Sequence, residues 1–249
     1  MKKLLSILLC LSLLLCTLSL VACTGDDITN TLGGKTPEEL YEISKQSLKE
    51  ATSYHVNSVQ DITMTSDSND QTQTIKMQQT IESKINGDDS YIKTYNDMES
   101  TANAEAWYVD GVLYTSVAGL KVKKAISKSE YLEDYMQIDP SESTLLDIPE
   151  SWFENIQFEK EGDSWVLNFN VSGEKYTEVF GNIGLTGASI NGDVVYKMYF
   201  DKDGNIEKLF ASFDFEMSGY TAHCESVSYI EIGEVQIDPP LDADSYLSF

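Results

Sequence analysis

The sequence predicts an α+β fold, in which a mostly antiparallel β-sheet carries helices on one face. Two observations support this class. Most of the chain after residue 36 consists of short runs that alternate between apolar and polar side chains and are separated by turn signals. One long amphipathic segment precedes these runs, and only shorter helical segments interrupt them. Sequential strands with helices gathered between them are typical of an α+β fold rather than a doubly wound one.

The first predicted element is a helix over residues 37–52. Thr36 can cap it, Pro37 suits the first helical position, and Glu39 stands where a capping box requires an acidic residue. Apolar residues then recur at helical spacing, at Leu40, Ile43 and Leu48. One apolar face predicts that this helix packs on an apolar surface.

Three hairpins are predicted downstream. Asp110-Gly111 lies between aromatic and β-branched runs, which is the strongest short-range turn signal in the chain. The other two join residues 56–64 to 72–84 and residues 194–200 to 206–217. Further strands are expected over residues 165–171 and 226–232, and shorter helices over 129–136, within 140–153 and over 173–183.

Half-buried strands explain the placement of most aromatic residues. Phe213, Phe215 and Met217 alternate with Asp214 and Glu216, so the two sets are predicted to point to opposite faces. Most of the aromatic side chains are therefore expected in an ordinary core, with lining of an apolar pocket as the alternative.

The start of the chain has the features of an export signal. Lys2 and Lys3 form a short positive region, and residues 4–20 are an apolar run. The run ends in Leu20-Val21-Ala22-Cys23, which resembles the lipobox of bacterial lipoprotein precursors. That resemblance implies cleavage between Ala22 and Cys23 and a diacylglyceryl thioether on Cys23.

An uncleaved membrane anchor is the alternative for this segment, because residues 4–22 approach the ~20 apolar residues that a bilayer crossing needs. Polar residues 24–27 follow at once, and no basic stop-transfer cluster appears, so a cleaved leader is favoured. The expected organisation is a signal peptide over 1–22, a lipidated cysteine with a flexible spacer over 23–35, and one domain over 36–249.

The charge balance limits the classes of partner that the protein can bind. The chain has 17 Lys and Arg residues against 41 Asp and Glu residues, and a formal net charge of −24. Such an acidic surface repels phosphate backbones, so we expect no nucleic-acid partner. The predicted partner is the membrane, reached through the lipid anchor.

No catalytic or metal-binding constellation is predicted. With Cys23 lipidated and the leader removed, Cys224 is the one cysteine left, so no intramolecular disulfide is expected. Neighbouring side chains of a strand point to opposite faces, so His223 and Cys224 are not expected to share a proton. Residues 201–207 contain oxygen ligands, but their glycine is misplaced for a calcium loop, and a hairpin turn is predicted instead. The only expected cofactor-like group is the lipid on Cys23.

The order of leader, spacer, amphipathic helix and hairpins, with the run Trp107-Tyr108-Val109-Asp110-Gly111-Val112-Leu113-Tyr114, resembles a family of Gram-positive lipoproteins. Its architecture is similar to that of the LolA and LppX type of lipoprotein and lipid carriers. The resemblance covers most of residues 36–249. It implies a curved half-barrel with helices packed on its concave face, where the better known carriers hold acyl chains.

These observations lead to two functional hypotheses. The first is a non-enzymatic lipoprotein, anchored on the outer face of the cytoplasmic membrane, that binds a lipid or another hydrophobic molecule. The second is a cell-surface protein-interaction module that uses its acidic face or a sheet edge. The ligand-binding residues are not predictable from the sequence alone.

Overall fold

The structure is a computed structural model, and it describes residues 32–68, 71–98, 103–131, 148–162, 164–176, 188–217 and 220–248. Two α-helices lie wholly in these ranges, α1 (Pro37–Glu50) and α2 (Lys128–Tyr131), and residues 173–176 are also helical. The strands are β1 (Ser53–Ser68), β2 (Gln71–Asn86), β3 (Asp89–Asn96), β4 (Ala104–Val109), β5 (Val112–Val117), β6 (Leu120–Ala125), β7 (Phe153–Glu161), β8 (Ser164–Ser172), β9 (Ala188–Phe200), β10 (Ile206–Met217), β11 (Tyr220–Ile232) and β12 (Leu247–Ser248).

All twelve strands belong to one open, curved sheet, in the order β12-β6-β5-β4-β3-β2-β1-β11-β10-β9-β8-β7. Two antiparallel meanders build it: β1 to β6 extends in one direction, and β7 to β11 returns from the opposite edge to pair with β1. Only β12 pairs in parallel, with β6. The predicted fold class, a curved and mostly antiparallel sheet with few helices, is confirmed.

Helix α1 begins as its sequence predicts. The Thr36 side chain accepts a hydrogen bond from the Glu39 backbone, and the Glu39 carboxylate accepts one from the Thr36 backbone at 2.8 Å. The helix ends at Glu50, two residues before the predicted end. Its buried side chains Leu40, Tyr41 and Leu48 pack in one cluster with side chains of the sheet. The sheet face on which α1 packs is called the inner face below.

Two apolar clusters of unequal size occupy the inner face. The larger one contains buried side chains of α1, β1 and β8 to β11. In it the Phe169 ring lies 3.9 Å from the Phe153 ring and 5.1 Å from the Tyr196 ring, centroid to centroid. The smaller cluster joins β4 and β5 to α2 and consists of Tyr108, Leu113, Ile126 and Tyr131.

The predicted hairpins are present, with longer strands than the sequence indicates. Asp110 and Gly111 have φ values of 51° and 75°, the two positive values that a type I′ turn requires. Strands β1 and β2 pair over 16 positions from Ser53 to Ser68. The pairing also explains why Phe213 and Phe215 are both 3 % exposed, whereas Asp214 and Glu216 between them face solvent.

Several strands are missing from the sequence prediction, namely β3, β6, β7 and β12. Strand β7 is an edge strand in which Glu and Lys side chains outnumber apolar ones, and a bulge between Glu154 and Gln157 breaks its alternation. Charges and bulges are typical of edge strands, and they erase the pattern by which a strand is recognised. Parts of the predicted helices over 129–136, 140–153 and 173–183 lie outside the described residues.

The end of the predicted spacer packs against the domain. Leu32 is buried in the larger cluster and pairs with Lys35 through a tight turn at Gly33 and Gly34. The leader and the rest of the spacer lie outside the described residues and remain predictions. Among the residues that are described, no helix combines the length and the hydropathy that a membrane crossing requires.

Candidate functional site

The predicted lipidation residue Cys23 and the cleavage position after Ala22 lie outside the described residues. Both stay predictions, and the candidate site must be sought in the sheet.

Cys224 and His223 do not form a catalytic pair. Cys224 is buried on the inner face and His223 is exposed on the opposite, outer face. Burial raises the pKa of the Cys224 thiol to about 12, so the thiolate needed for nucleophilic attack is scarce at neutral pH. The His223 Nδ1 atom lies 2.7 Å from the Asp214 Oδ1 atom, on the solvent side of the sheet.

The loop between β9 and β10 is a hairpin turn, as predicted. The Asp201 carboxylate accepts hydrogen bonds from the backbone of Asp203 at 2.8 Å and from the backbone of Asn205 at 2.9 Å. Its oxygens therefore hold the turn. Within the described ranges, no three His, Cys, Asp or Glu side chains are arranged to hold a metal ion.

Among the described residues, the inner face carries no charge over β1 to β5 and β8 to β11, whereas Lys124 of β6 and Lys160 of β7 lie on this face near the two edges of the sheet. In the described parts of β1 to β5 and β8 to β11, the registers place every Asp, Glu, Lys and His side chain on the outer face. The inner positions are apolar, or are uncharged Ser, Thr, Asn, Gln and Tyr residues. A chain with a net charge of −24 thus keeps the middle of one face free of charge.

A row of four amide and hydroxyl side chains crosses this uncharged region. Register pairs Ser226 with Gln60, Gln60 with Gln79, and Gln79 with Asn96, so the row runs over β11, β1, β2 and β3. At a strand spacing of about 4.8 Å, it is about 14 Å long. These four side chains, called the polar row below, are 6 %, 4 %, 3 % and 4 % exposed, respectively.

Apolar side chains flank the polar row on the same face. The next row toward the β1–β2 hairpin turn consists of Phe213, Cys224, Ile62 and Met77, all buried. In the other direction the hydroxyls of Ser58 and Ser228 share a hydrogen bond at 2.6 Å. Val56 and Ile230 follow them on the same face. The polar row therefore lies between two apolar regions.

Three members of the polar row have no side-chain hydrogen bond to another described residue. Asn96 is held, because its Nδ2 contacts the Met77 sulfur at 2.7 Å and its Oδ1 accepts from the Met98 backbone at 2.9 Å. In the described part of the chain, the side chains of Ser226, Gln60 and Gln79 make no hydrogen bond to another residue. None of the three is among the residues with a fully buried side-chain polar atom that lacks a hydrogen-bond partner, which in the described part of the chain are Ser44, His55, Asn57 and Asn168.

Two other buried polar groups differ in their hydrogen bonding. Tyr196, on the β9 side of the polar row, shares a 2.7 Å hydrogen bond between its hydroxyl and that of Tyr176. Burial raises the pKa of both phenols, so both stay neutral. On α1, Ser44 is 1 % exposed, and within the described residues its hydroxyl is without a partner.

An open cavity of about 370 Å³ lies near the β3 end of the polar row, where β3 and β4 diverge. Its lining includes Thr94, Asn103 and Ala104, and the ion pair of Lys93 with Glu105 at 2.9 Å. Asn103 links the cavity to the polar row, because its Oδ1 accepts a hydrogen bond from the Asn96 backbone at 2.8 Å. The volume is within the range of small-molecule sites. Because Lys93 and Glu105 point to the outer face, the cavity opens on the side of the sheet opposite the polar row.

The sequence did not single out the polar row. Gln60 and Gln79 lie in runs rich in polar residues, where nothing marks one glutamine as buried and its neighbour Gln78 as solvent-facing. Only the register, which aligns the distant strand β11 with the consecutive strands β1, β2 and β3, brings the row together. The available signal was the parity of each residue within its strand, since alternate residues share a face.

The chain belongs to the family of unknown function DUF6612, whose model matches residues 36–204. No curated protein matches the chain in sequence.

Solved structures similar to this chain include the kinds of protein that the sequence resembles. The lipoprotein LppX of Mycobacterium tuberculosis is 12 % identical, with a TM-score of 0.41, 82 % of this chain covered and 100 % of that chain. LprF of Mycobacterium bovis is 10 % identical, with a TM-score of 0.40 and coverage of 82 % and 98 %. A Vibrio parahaemolyticus domain described as an outer membrane lipoprotein-sorting domain is 12 % identical, with a TM-score of 0.23 and coverage of 80 % and 93 %. The fold class itself rests on the strand order and registers given above.

Proposed function

We propose that this chain is a non-enzymatic, extracytoplasmic lipoprotein that binds a lipid or another hydrophobic molecule against the inner face of its sheet. It is anchored to the outer face of the cytoplasmic membrane through a diacylglyceryl group on Cys23. The observation that carries the binding proposal is the uncharged inner face of β1 to β5 and β8 to β11, because an uncharged surface on a strongly acidic chain favours an apolar occupant.

The anchoring part rests on the leader sequence. Residues 20–23 resemble a lipobox, and Leu32 begins the packed domain only nine residues after Cys23. Two acyl chains at ~0.8 kcal/mol per buried CH₂ give stable attachment, which a single chain does not. The domain is thereby kept close to a bilayer, from which a hydrophobic ligand is available.

The alternative hypothesis, a protein-interaction module that pairs through a sheet edge, receives less support. One edge strand, β7, carries a bulge with Asn155 at φ 56° and several glutamates. The other edge, β6, is partly covered by β12 through Leu247 and Ser248. Bulges, charges and covering segments all work against the addition of a foreign strand.

Native mass spectrometry of the full chain, expressed with its leader and purified from bacterial membranes in a mild detergent, tests both parts. We expect a mature N-terminus at Cys23 that carries a diacylglyceryl mass, and an additional amphiphile at about one per chain. The Cys23→Ala variant is the control and should lose the covalent lipid. A chain that retains residues 1–22 would overturn the anchor, and a chain that never takes up an added lipid would overturn the binding proposal.

A further inference from the structure

The polar row is the least explained feature of the inner face. Three of its members, Ser226, Gln60 and Gln79, are more than nine-tenths buried, and none of the three side chains bonds to another described residue. They are consecutive in one row, on neighbouring strands. Three aligned polar side chains without a bond to another described residue are what a hydrogen-bonding ligand requires.

The chemistry of the row defines what it can bind. Amide groups donate and accept, and hydroxyl groups do both as well, so the row suits ester, amide and hydroxyl groups. No Lys, Asp, Glu or His of the described β1 to β5 or β8 to β11 points to this face, so a phosphate or carboxylate would be buried without a counter-ion. Burying an unpaired charge is far more costly than burying a neutral polar group.

The surroundings of the row define the rest of the ligand. Ile62, Met77 and Phe213 lie on one side of it, and on the other side Val56 and Ile230 follow the hydrogen-bonded pair Ser58 and Ser228. Apolar chains are therefore accommodated on both sides of a polar centre.

We propose that the row Ser226, Gln60, Gln79 and Asn96 is a subsite for the uncharged polar group of a neutral amphiphile, such as the ester and hydroxyl groups of a diglyceride. This inference rests on the proposed binding function and specifies its ligand class. It distinguishes neutral amphiphiles from anionic lipids, which have the same chains but an added charge.

Strand β2 offers a matched pair of variants for the test. Gln79→Leu removes an unpartnered amide from the polar row, and Gln78→Leu removes the adjacent amide on the outer face, where it donates to Asp61 at 2.9 Å. The probes are dioleoylglycerol, its phosphorylated analogue dioleoyl phosphatidate, and squalene, which has no polar group. Binding of each probe to the full-length chain is measured by native mass spectrometry over a concentration series.

We expect wild-type protein to bind dioleoylglycerol at least about tenfold more tightly than dioleoyl phosphatidate, because the phosphate charge has no partner. Gln79→Leu should weaken dioleoylglycerol binding about fivefold, the effect of one net hydrogen bond, and leave squalene binding unchanged. Gln78→Leu should change neither. Without ligand, Gln79→Leu should melt at the same or a higher temperature than wild type, since the amide that it removes makes no hydrogen bond to another described residue.

The outcomes separate this inference from the function on which it rests. If squalene and dioleoylglycerol both bind and Gln79→Leu alters neither, the polar row is not a subsite, and the binding function stands. If ligand-free Gln79→Leu melts at a lower temperature than wild type, the amide has a structural role and the inference is wrong. Tighter binding of the phosphatidate than of the diglyceride would also overturn it. If none of the three probes binds, the proposed function itself fails.

Discussion

The two halves of the sheet differ in how their inner faces are filled. In the half formed by β7 to β11, the inner positions carry large side chains such as Phe169, Met198 and Phe200, each at most 1 % exposed. In the half formed by β2 to β6, small residues such as Ala104 and Ala106 occupy inner positions and are only half-buried. Both halves alternate inward and outward in the same way. The difference teaches that alternation assigns a side chain to a face, whereas side-chain volume and what covers the face decide its contribution to stability.

The largest expected effect tests the packed half. Phe169→Ala should lower the free energy of unfolding by about 3–5 kcal/mol, since it empties a site between the Phe153 and Tyr196 rings. Urea denaturation followed by tryptophan fluorescence measures the change. Leu120→Ala in the other half is the control, and at 62 % exposure it should change the value by less than about 0.5 kcal/mol. Equal effects at the two positions would abolish the distinction between the halves.

The next effect concerns the edge of the half formed by β2 to β6. Tyr246 in the C-terminal tail is 4 % exposed, its ring lies 5.6 Å from the Tyr114 ring, and Lys121 lies over its other side. Tyr246→Ala should cost about 2 kcal/mol and should speed amide hydrogen exchange in β5 and β6 more than in β8 and β9. Tyr229→Ala, at a 53 % exposed position, is the control. Uniform acceleration over both halves would show that they unfold as one unit.

A smaller effect is expected at the turn that joins β9 to β10 in the packed half. Asp201→Ala removes the acceptor of three hydrogen bonds and should cost about 1–2 kcal/mol at neutral pH. Burial acts to raise the pKa of Asp201, but hydrogen bonds from Asn205, Asp203 and Gly204 outweigh it, and the pKa lies below its usual value.

The sign of the pH dependence at Asp201 follows from that direction. Because the folded pKa is depressed, the stabilisation is fully present above the unfolded pKa of about 3.9 and is lost as pH falls through the lower folded value. The stability difference between wild type and Asp201→Ala should therefore shrink in acid, which a urea series at several pH values measures. The exposed neighbour Asp203→Ala serves as the matched variant, and a difference that grows in acid would contradict the assignment.

The smallest effect tests the minor cluster. The Tyr131 hydroxyl lies 2.8 Å from the Ser90 hydroxyl, and its ring stacks on Tyr108 at 4.5 Å. Tyr131→Phe keeps the stacking and removes the hydrogen bond, so we expect a loss of about 1 kcal/mol. The loss of stability should appear as faster amide hydrogen exchange in β4 and β5. Tyr95→Phe, at a 49 % exposed site, should leave exchange in these strands unchanged.

The sequence by itself determined the local structure of this protein. The capping box at Thr36 and Glu39, the turn at Asp110 and Gly111, and the alternation around Phe213 all depend on residues a few positions apart, and the structure confirms each. Edge strands such as β7 escaped prediction, because their charges serve to protect an edge rather than to mark a buried face. The leader and Cys23 are likewise a matter of local sequence and remain predictions.

Only the tertiary structure decided which polar residues meet on the inner face. Ser226 and Gln60 are 166 positions apart in the chain, yet the pairing of β11 with β1 places them side by side. A shift of one residue in either strand would carry its members of the polar row to the solvent face, because the side-chain period of a strand is two. Register depends on packing over the whole sheet, and no short stretch of sequence contains it.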